Sequence, residues 1–381
     1  MRKKFIAMLL MVGMIISLCA CSQESSTTNS KGESTDASTV GDNSAFDEYA
    51  RPVVKESGLT LAYIHNFAYN EAEQRKMGQI QLECDNRGWK FVEANYTEDS
   101  EWSDAFKNLI NQGVDVIVIT NTESMQAKSG LIIQARNEGI GVYCCDSEVV
   151  PGIIANATMP NGVATEELFY KIGNDYKWTE NLGFLTAETF QVHTERVDPA
   201  VATCKSYANL NVYEVQDVLA GGSDFITYSA DLVKAWLQKY GTELTGVYTS
   251  SDTLAFAAAE AAEQSGDLVS EDFFVSGIDG GSECWAKIRE GSYFKYSYAQ
   301  PFELYAHKLC DIIEQIQVMG LNPGDEGCDI DYSGDILYSY GKVITRNNVP
   351  DVGANVHTIF DYYDSDPDSW CNWEGTYTVS E

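Results

Sequence analysis

Gly246-Val247-Tyr248-Thr249-Ser250-Ser251-Asp252 and Phe273-Phe274-Val275-Ser276-Gly277-Ile278-Asp279-Gly280-Gly281 share one pattern: an apolar run, a polar or glycine end, then a helical stretch. Tyr296-Ser297-Tyr298 leads in the same way into Ala299-Gln300-Pro301. Parallel strands of an open α/β sheet end like this, presenting polar side chains to a crevice beyond their carboxyl ends. The stretch from Gly246 to Gln300 therefore reads as one wall of a binding site.

The alternation continues on both sides of that wall. Upstream, strands at Leu59 to Ile64, Lys90 to Glu93, Val114 to Ile119 and Gly141 to Cys145 alternate with helices at Asn70 to Arg87, Trp102 to Asn111 and Ser124 to Asn137. Gly88 and Gly113 close the first two helices. The rhythm pauses at Thr158-Met159-Pro160-Asn161 and restarts. Helices are predicted at Val163 to Tyr176, Asp198 to Ala208, Tyr228 to Tyr240 and Leu254 to Gln264, with strands at Asn181 to Leu185 and Val212 to Val218. Helices also follow at Glu283 to Arg289 and Glu303 to Met319, the latter with an apolar face. Past Gly320 the chain turns irregular and acidic, apart from a strand at Lys342 to Thr345. Strands alternating with helices predict βαβ units, so the fold class is α/β, with two doubly wound parallel-sheet, Rossmann-like domains.

The chain has 381 residues, 44 % hydrophobic and 22 % charged, enough for two globular domains. Arg2-Lys3-Lys4 followed by the apolar run Phe5 to Leu18 reads as a secretory signal peptide, too short for a membrane span. Leu18-Cys19-Ala20-Cys21 resembles a bacterial lipobox, with a small residue before a cysteine that becomes a diacylated N-terminus. Residues 1–21 are thus read as a lipoprotein leader ending at lipidated Cys21, and 22–57, polar and poor in apolar side chains, as a disordered tether. A net charge of −32 without clustered Lys or Arg argues against nucleic acid and against direct adhesion to anionic lipid. Eight further cysteines could form disulfides in an exported protein, and no spacing selects a pairing or a zinc site. Adjacent Cys144 and Cys145 sit in an apolar run, where at least one should behave as a small buried hydrophobe. Asp329 to Asp335 match the first half of an EF-hand loop and Asp364, Asp366 and Asp368 repeat the spacing, but the first has Tyr340 in place of the closing glutamate and the second contains Pro367, so both read as solvated loops without metal.

Taken in order, these segments resemble the type I periplasmic binding proteins, specifically the ribose-like sugar-binding lipoproteins of ABC transporters. Gln112 to Ile119 with Glu123-Ser124 is similar to the family's "GVDAIIISPxDS", and Asn137 to Val142 ending in Asp146 to "AGIPVVxxD". Thr249 to Asp252, Val275 to Gly280, Ala299-Gln300-Pro301 and Val343 to Asn348 match four more motifs in the family's order. The resemblance runs from about Leu59 to Asn348. It implies three hinge crossings, near Thr158 to Asn161, Pro301 and Lys342. The implied lobes are 58–160 plus 301–342, and 161–300 plus 343–381 with an extra acidic tail, closing on a ligand between them. The tail is expected to pack on the second lobe.

The resemblance also places candidate ligand-binding residues. Asp146 and Asp279 stand where the family's aspartates accept hydrogen bonds from sugar hydroxyls; a helix-cap or turn aspartate is the alternative. Gln300 offers donor and acceptor beside a hinge, and Arg196 matches an arginine that donates to ring or hydroxyl oxygens. Phe225 stands at the family's spacing for an aromatic that stacks on a sugar, although a core position remains open. Ser251 replaces the usual asparagine. The loop after the first strand, with His65, Asn66, Tyr69 and Glu71, departs from the family's Asn-Pro and paired aromatics, and Ser147 stands where the ribose-like members have arginine. These departures predict a pocket more acidic than theirs and differently shaped.

The implied function is an extracytoplasmic solute-binding lipoprotein that delivers a sugar or sugar derivative to an ABC permease as a monomer, with neither enzymatic activity nor cofactor. Two alternatives stay open: a sensor that partners a receptor kinase, or a binder of a cationic amine or amino sugar held by Glu71, Asp146 and Asp279. No Gly-x-Ser-x-Gly elbow, Walker motif or dinucleotide fingerprint appears.

Overall fold

The computed structural model describes Phe46 and residues 49–66, 70–362 and 366–381. The leader with Cys21, most of the tether, Phe67, Tyr69 and Asp364 lie outside the described residues. No helix among the described residues is long and apolar enough to cross a membrane.

Two six-stranded sheets form the scaffold. In the first, β1 (Thr60–His65), β2 (Lys90–Asn95), β3 (Val116–Thr120), β4 (Gly141–Cys145), β5 (Ala155–Thr158) and β11 (Asp335–Tyr338) lie in the order β11-β5-β4-β3-β1-β2. Every pair in it is parallel. The second holds β6 (Asn181–Thr186), β7 (Asn211–Asp217), β8 (Gly246–Thr249), β9 (Phe274–Asp279), β10 (Phe294–Ala299) and β12 (Lys342–Ile344), ordered β12-β10-β9-β8-β6-β7. Only β12 runs antiparallel to its neighbour. β3 and β4 are buried at every position, as strands covered on both faces must be.

The first sheet is flanked by α1 (Glu71–Arg87), α2 (Asp99–Gln112), α3 (Met125–Asn137) and α9 (Phe302–Ile313). The second carries α4 (Asn161–Tyr176), α5 (Gln191–Ser206), α6 (Phe225–Tyr240), α7 (Asp252–Glu263) and α8 (Ser282–Glu290). In each sheet the first two strands are swapped relative to chain order, which puts a switch point between β1 and β3 and another between β6 and β8. A crevice opens at such points, beyond the strand carboxyl ends. The chain passes between sheets after β5, after β10 and after β11. One apolar cluster runs through these passages, from Tyr63 and Tyr143 by way of Met159, Phe302 and Tyr305 to Tyr248 and Tyr298.

Several local details differ from the sequence reading. β5 and β11 are additional strands, and α5 begins seven residues earlier than predicted. Proline favours the first turn of a helix, so Pro199 marks Asp198 as a start, but it sits in the interior of α5. The end of the stretch read as a tether is docked. Phe46 is fully buried, Val53 N–H donates to Gly139 O at 2.9 Å and Lys55 N–H to Gln317 O at 2.7 Å. All eight cysteines among the described residues are free thiols, and Cys144 and Cys145 are both fully buried.

Replacing Pro199 by Ala restores a backbone donor inside α5 and should raise the stability of the second sheet's lobe by about 1–3 kcal/mol. Thermal or urea denaturation would register the gain, whereas an unchanged midpoint would mean that the helix is shaped around its proline.

Candidate functional site

The crevice between the sheets narrows to a cavity of about 70 Å³, room for several water molecules or one small solute. From the first sheet's side it is lined by Asn70, Glu73 and Lys76 at the start of α1, by Asn121 after β3 and by Asp146 after β4. From the second come Phe190, His193 and Arg196 around the start of α5, Phe225 at the first position of α6, Ser251 before α7 and Asp279 at the end of β9. Phe302 of α9 covers one end.

Both aspartates hold uncommon backbone conformations, with φ of 61° at Asp146 and 148° at Asp279. Strain of this kind collects at functional sites. Gly280, with φ of 80°, must follow Asp279: a Cβ there would lie 2.7 Å from the Ala299 backbone.

Arg196 sits between the two carboxylates and is almost fully buried. Its Nη1 lies 3.4 Å from Asp279 Oδ1 and its Nη2 3.7 Å from Asp146 Oδ2, so one guanidinium spans carboxylates of opposite lobes. Its Nε donates to Asn161 Oδ1 at 2.8 Å, and its Nη1 also donates to Ser250 O at 3.2 Å. Across the cavity Lys76 pairs with Glu73 at 3.2 Å and reaches Asp146 at 3.8 Å. Burial lowers the Lys76 pKa, but Glu73 and Asp146 outweigh it and leave the ammonium firmly charged. Thr158 Oγ1 donates to Asp146 Oδ1 at 2.8 Å. Gln300 is fully buried behind the wall; its Nε2 donates to Asp279 Oδ1 at 2.8 Å, so it orients that carboxylate.

His193 is held neutral. Burial, with Arg196 and Lys76 nearby, pushes its pKa down to about 3, and its Nδ1 lies 2.7 Å from Ser250 Oγ. Burial raises the Asp252 carboxyl to about 7, helped by the neighbouring charge of Asp279. Burial also lifts Asp279, to about 6, against the pull of Arg196. Asp252 is enclosed by Ser297 Oγ at 2.9 Å and by Gly280 N–H at 2.8 Å. The cavity thus offers fixed cationic donors, carboxylate acceptors and three aromatic faces.

Of the residues proposed from sequence, the fold brings Asp146, Asp279, Arg196, Phe225 and Ser251 to the cavity. Ser251 also caps α7, accepting from Leu254 N–H at 3.4 Å. Four others are placed elsewhere. His65, fully buried, turns to Glu93 on β2, 3.0 Å away, and Asn66 after it does not line the cavity either. Glu71 points out of the cavity, with both carboxylate oxygens 3.0 Å from Ser282 N–H at the start of α8. Ser147 faces a separate recess, tied to Asn156. Tyr69 lies outside the described residues. Glu73, Lys76 and His193 were not singled out for the site. They sit within helices rather than at strand ends; the i, i+3 spacings of Glu73 with Lys76 and of His193 with Arg196 are the signal that could have found them.

A family profile described as "Periplasmic binding protein domain" matches residues 69–316. No curated protein matches the chain. Among solved structures, the chain is similar to an ABC transporter solute binding protein from Agrobacterium vitis with bound allitol, at 16 % identity and a TM-score of 0.67. That match covers 77 % of this chain and 98 % of that one. It is similar to a solute binding protein from Burkholderia graminis in complex with D-arabinose at 18 % identity and a TM-score of 0.66, covering 77 % and 97 %. It is also similar to one from Bacillus halodurans with bound myo-inositol at 15 % identity and a TM-score of 0.64, covering 77 % and 97 %. At these identities the likeness is one of fold, that of the type I periplasmic binding proteins.

Because the folded Asp252 and Asp279 carboxyls titrate above the ordinary range near pH 4, together they hold more protons between about pH 4 and pH 7 than the single one that buried His193 forgoes below its ordinary pKa. Stability should therefore rise as pH falls from about 7 toward 5, and Asp252→Asn should flatten that slope. A melting temperature that falls over the same interval would sink the assignment.

Proposed function

Since the chain belongs to the periplasmic binding protein family, we propose that it is an extracytoplasmic solute-binding protein of an ABC importer, taking a neutral, hydroxylated small molecule of the sugar or polyol class. Its lobes close on the solute and present it, as a monomer anchored through lipidated Cys21, to a membrane permease. It performs no chemistry on the solute.

The observation that carries this reading is Arg196 between Asp146 and Asp279. A vicinal diol or polyol can donate to each carboxylate and accept from the guanidinium, so solute hydroxyls would bridge lobes that the arginine already brings together. Phe190, Phe225 and Phe302 supply apolar faces for C–H groups. The sugars and polyols held by the solved structures of this fold support the same class.

A cationic solute fits less well. Arg196 and Lys76 already neutralise much of the carboxylate charge, and Glu71, on which the cationic reading relied, turns to α8.

Calorimetric titration with a panel of pentoses, hexoses, alditols and inositols should give at least one binder. Asp146→Asn and Asp279→Asn should each weaken it by roughly 10- to 150-fold, the loss of a charge-assisted hydrogen bond. Binding needs Asp279 ionised, so affinity should climb as pH rises through about 6. Binding by a polyamine and by no polyol, or turnover of any glycoside, would overturn the proposal.

A further inference from the structure

Residues 349–362 and 366–381 lie beyond the span matched by the family profile, yet they touch both lobes. They are rooted in the second. Ala354, Ile359 and Val379 belong to that lobe's apolar core, and Gly353 N–H donates to Val379 O at 2.8 Å. From this root the segment reaches the first lobe twice. Trp370 stacks on His307 of α9, with ring centroids 4.6 Å apart and planes at 14°. Farther along, Tyr377 Oη donates to Glu71 Oε1 at 2.5 Å, and its ring lies 4.2 Å from the Arg75 guanidinium.

Glu71 and Arg75 share one face of α1, four residues apart, and both also reach the second lobe directly. Glu71 accepts from Ser282 N–H, in the first turn of α8, where a negative charge meets the positive end of the helix dipole. Arg75 Nη1 donates to Gly280 O at 2.6 Å. Ser282 Oγ completes the cluster, 2.7 Å from Tyr377 Oη and accepting from Ser380 N–H at 3.0 Å. Glu71, Arg75 and Tyr377 line not the cavity around Asp146 and Arg196 but an adjoining recess of about 730 Å³ that shares Asp279 and Phe302 with it.

We propose that the C-terminal segment is a strap that holds the cleft closed, with Tyr377 as its clasp on Glu71 and Arg75. Each member of the clasp keeps a partner on its own side when the lobes part. Arg75 retains Glu303 through two bonds of 2.7 and 2.9 Å within the first lobe. Tyr377 retains Ser282. Glu71 stays at the N-terminal turn of α1, which tolerates its charge. Opening therefore strands no buried charge, and the clasp is reversible. Because the clasp lies outside the cavity, it raises the closed fraction whatever the solute is, and apparent affinity scales with that fraction.

The test uses the purified full chain with no solute added, so its outcome is separate from the question of what the cavity binds. Small-angle scattering gives the radius of gyration, and hydrogen exchange reads the Ser282 amide, with the Val379 and Ala354 amides reporting the root. Glu71→Gln and Tyr377→Ala should both enlarge the radius of gyration and speed Ser282 exchange by about tenfold, the weakening expected from losing one hydrogen bond to a charged group. Exchange at the root should stay as in the parent. Glu71 lies on a different element from the strap, so a shift shared by both variants cannot come from a misfolded tail. If neither variant differs from the parent, or if Tyr377→Ala shifts while Glu71→Gln does not, the strap is refuted.

Discussion

A buried guanidinium set between carboxylates from two lobes constrains everything around it. Arg196 is desolvated, and an isolated charge in that position would be very costly; Asp279 on its own lobe and Asp146 on the other make it tolerable. With the lobes together, that requirement sets how near the strand ends of the two sheets come. Asn161, at the first passage between the lobes, holds the Nε of the same arginine, so the hinge and the cleft share a residue pair. Lobe geometry and site electrostatics are therefore one problem. Gly280 belongs to the same solution, because only a residue without a Cβ lets the chain turn sharply enough after Asp279 to pass the Ala299 backbone.

Charge is arranged in two tiers. Facing the cavity, acids and bases alternate, and each has an opposite neighbour. Behind it, Asp252 has hydroxyl and amide donors but no cation, and it carries the highest pKa of the pair it forms with Asp279. The inner wall can thus present ionised acceptors while the carboxyl behind it absorbs the electrostatic cost by protonating.

Legibility from sequence followed the physics of each element. The apolar runs of β3 and β4 and the glycine stops of α1 and α2 made the α/β alternation plain. β5 escaped because Ala155-Asn156-Ala157-Thr158 has little intrinsic strand preference; it is a strand because Asn156 is satisfied by Ser147 and because β4 and β11 pair on either side of it. Pro199 hid the first two turns of α5, and His193 with them. On the cavity wall, the places of the strand-end aspartates and Arg196 were legible because motifs surround them. Lys76 and Glu73 were not, since a charged pair on a helix reads as a solvated face until the fold buries it. Glu71 was misread for the converse reason: its partners, Ser282 and Tyr377, stand more than two hundred residues away in sequence.

The backbone at Asp146 and Asp279 carries a further consequence. Aspartate tolerates the first conformation better than most residues and the second poorly, while glycine would accept both at no steric cost. Glycine at either position would relieve the torsion, worth about 1–3 kcal/mol, but it would also take a counter-charge from buried Arg196, and breaking a buried pair costs about 3–5 kcal/mol. The strained torsions are therefore held in place by the charge they position. Relaxing the backbone at either aspartate should loosen the fold rather than tighten it.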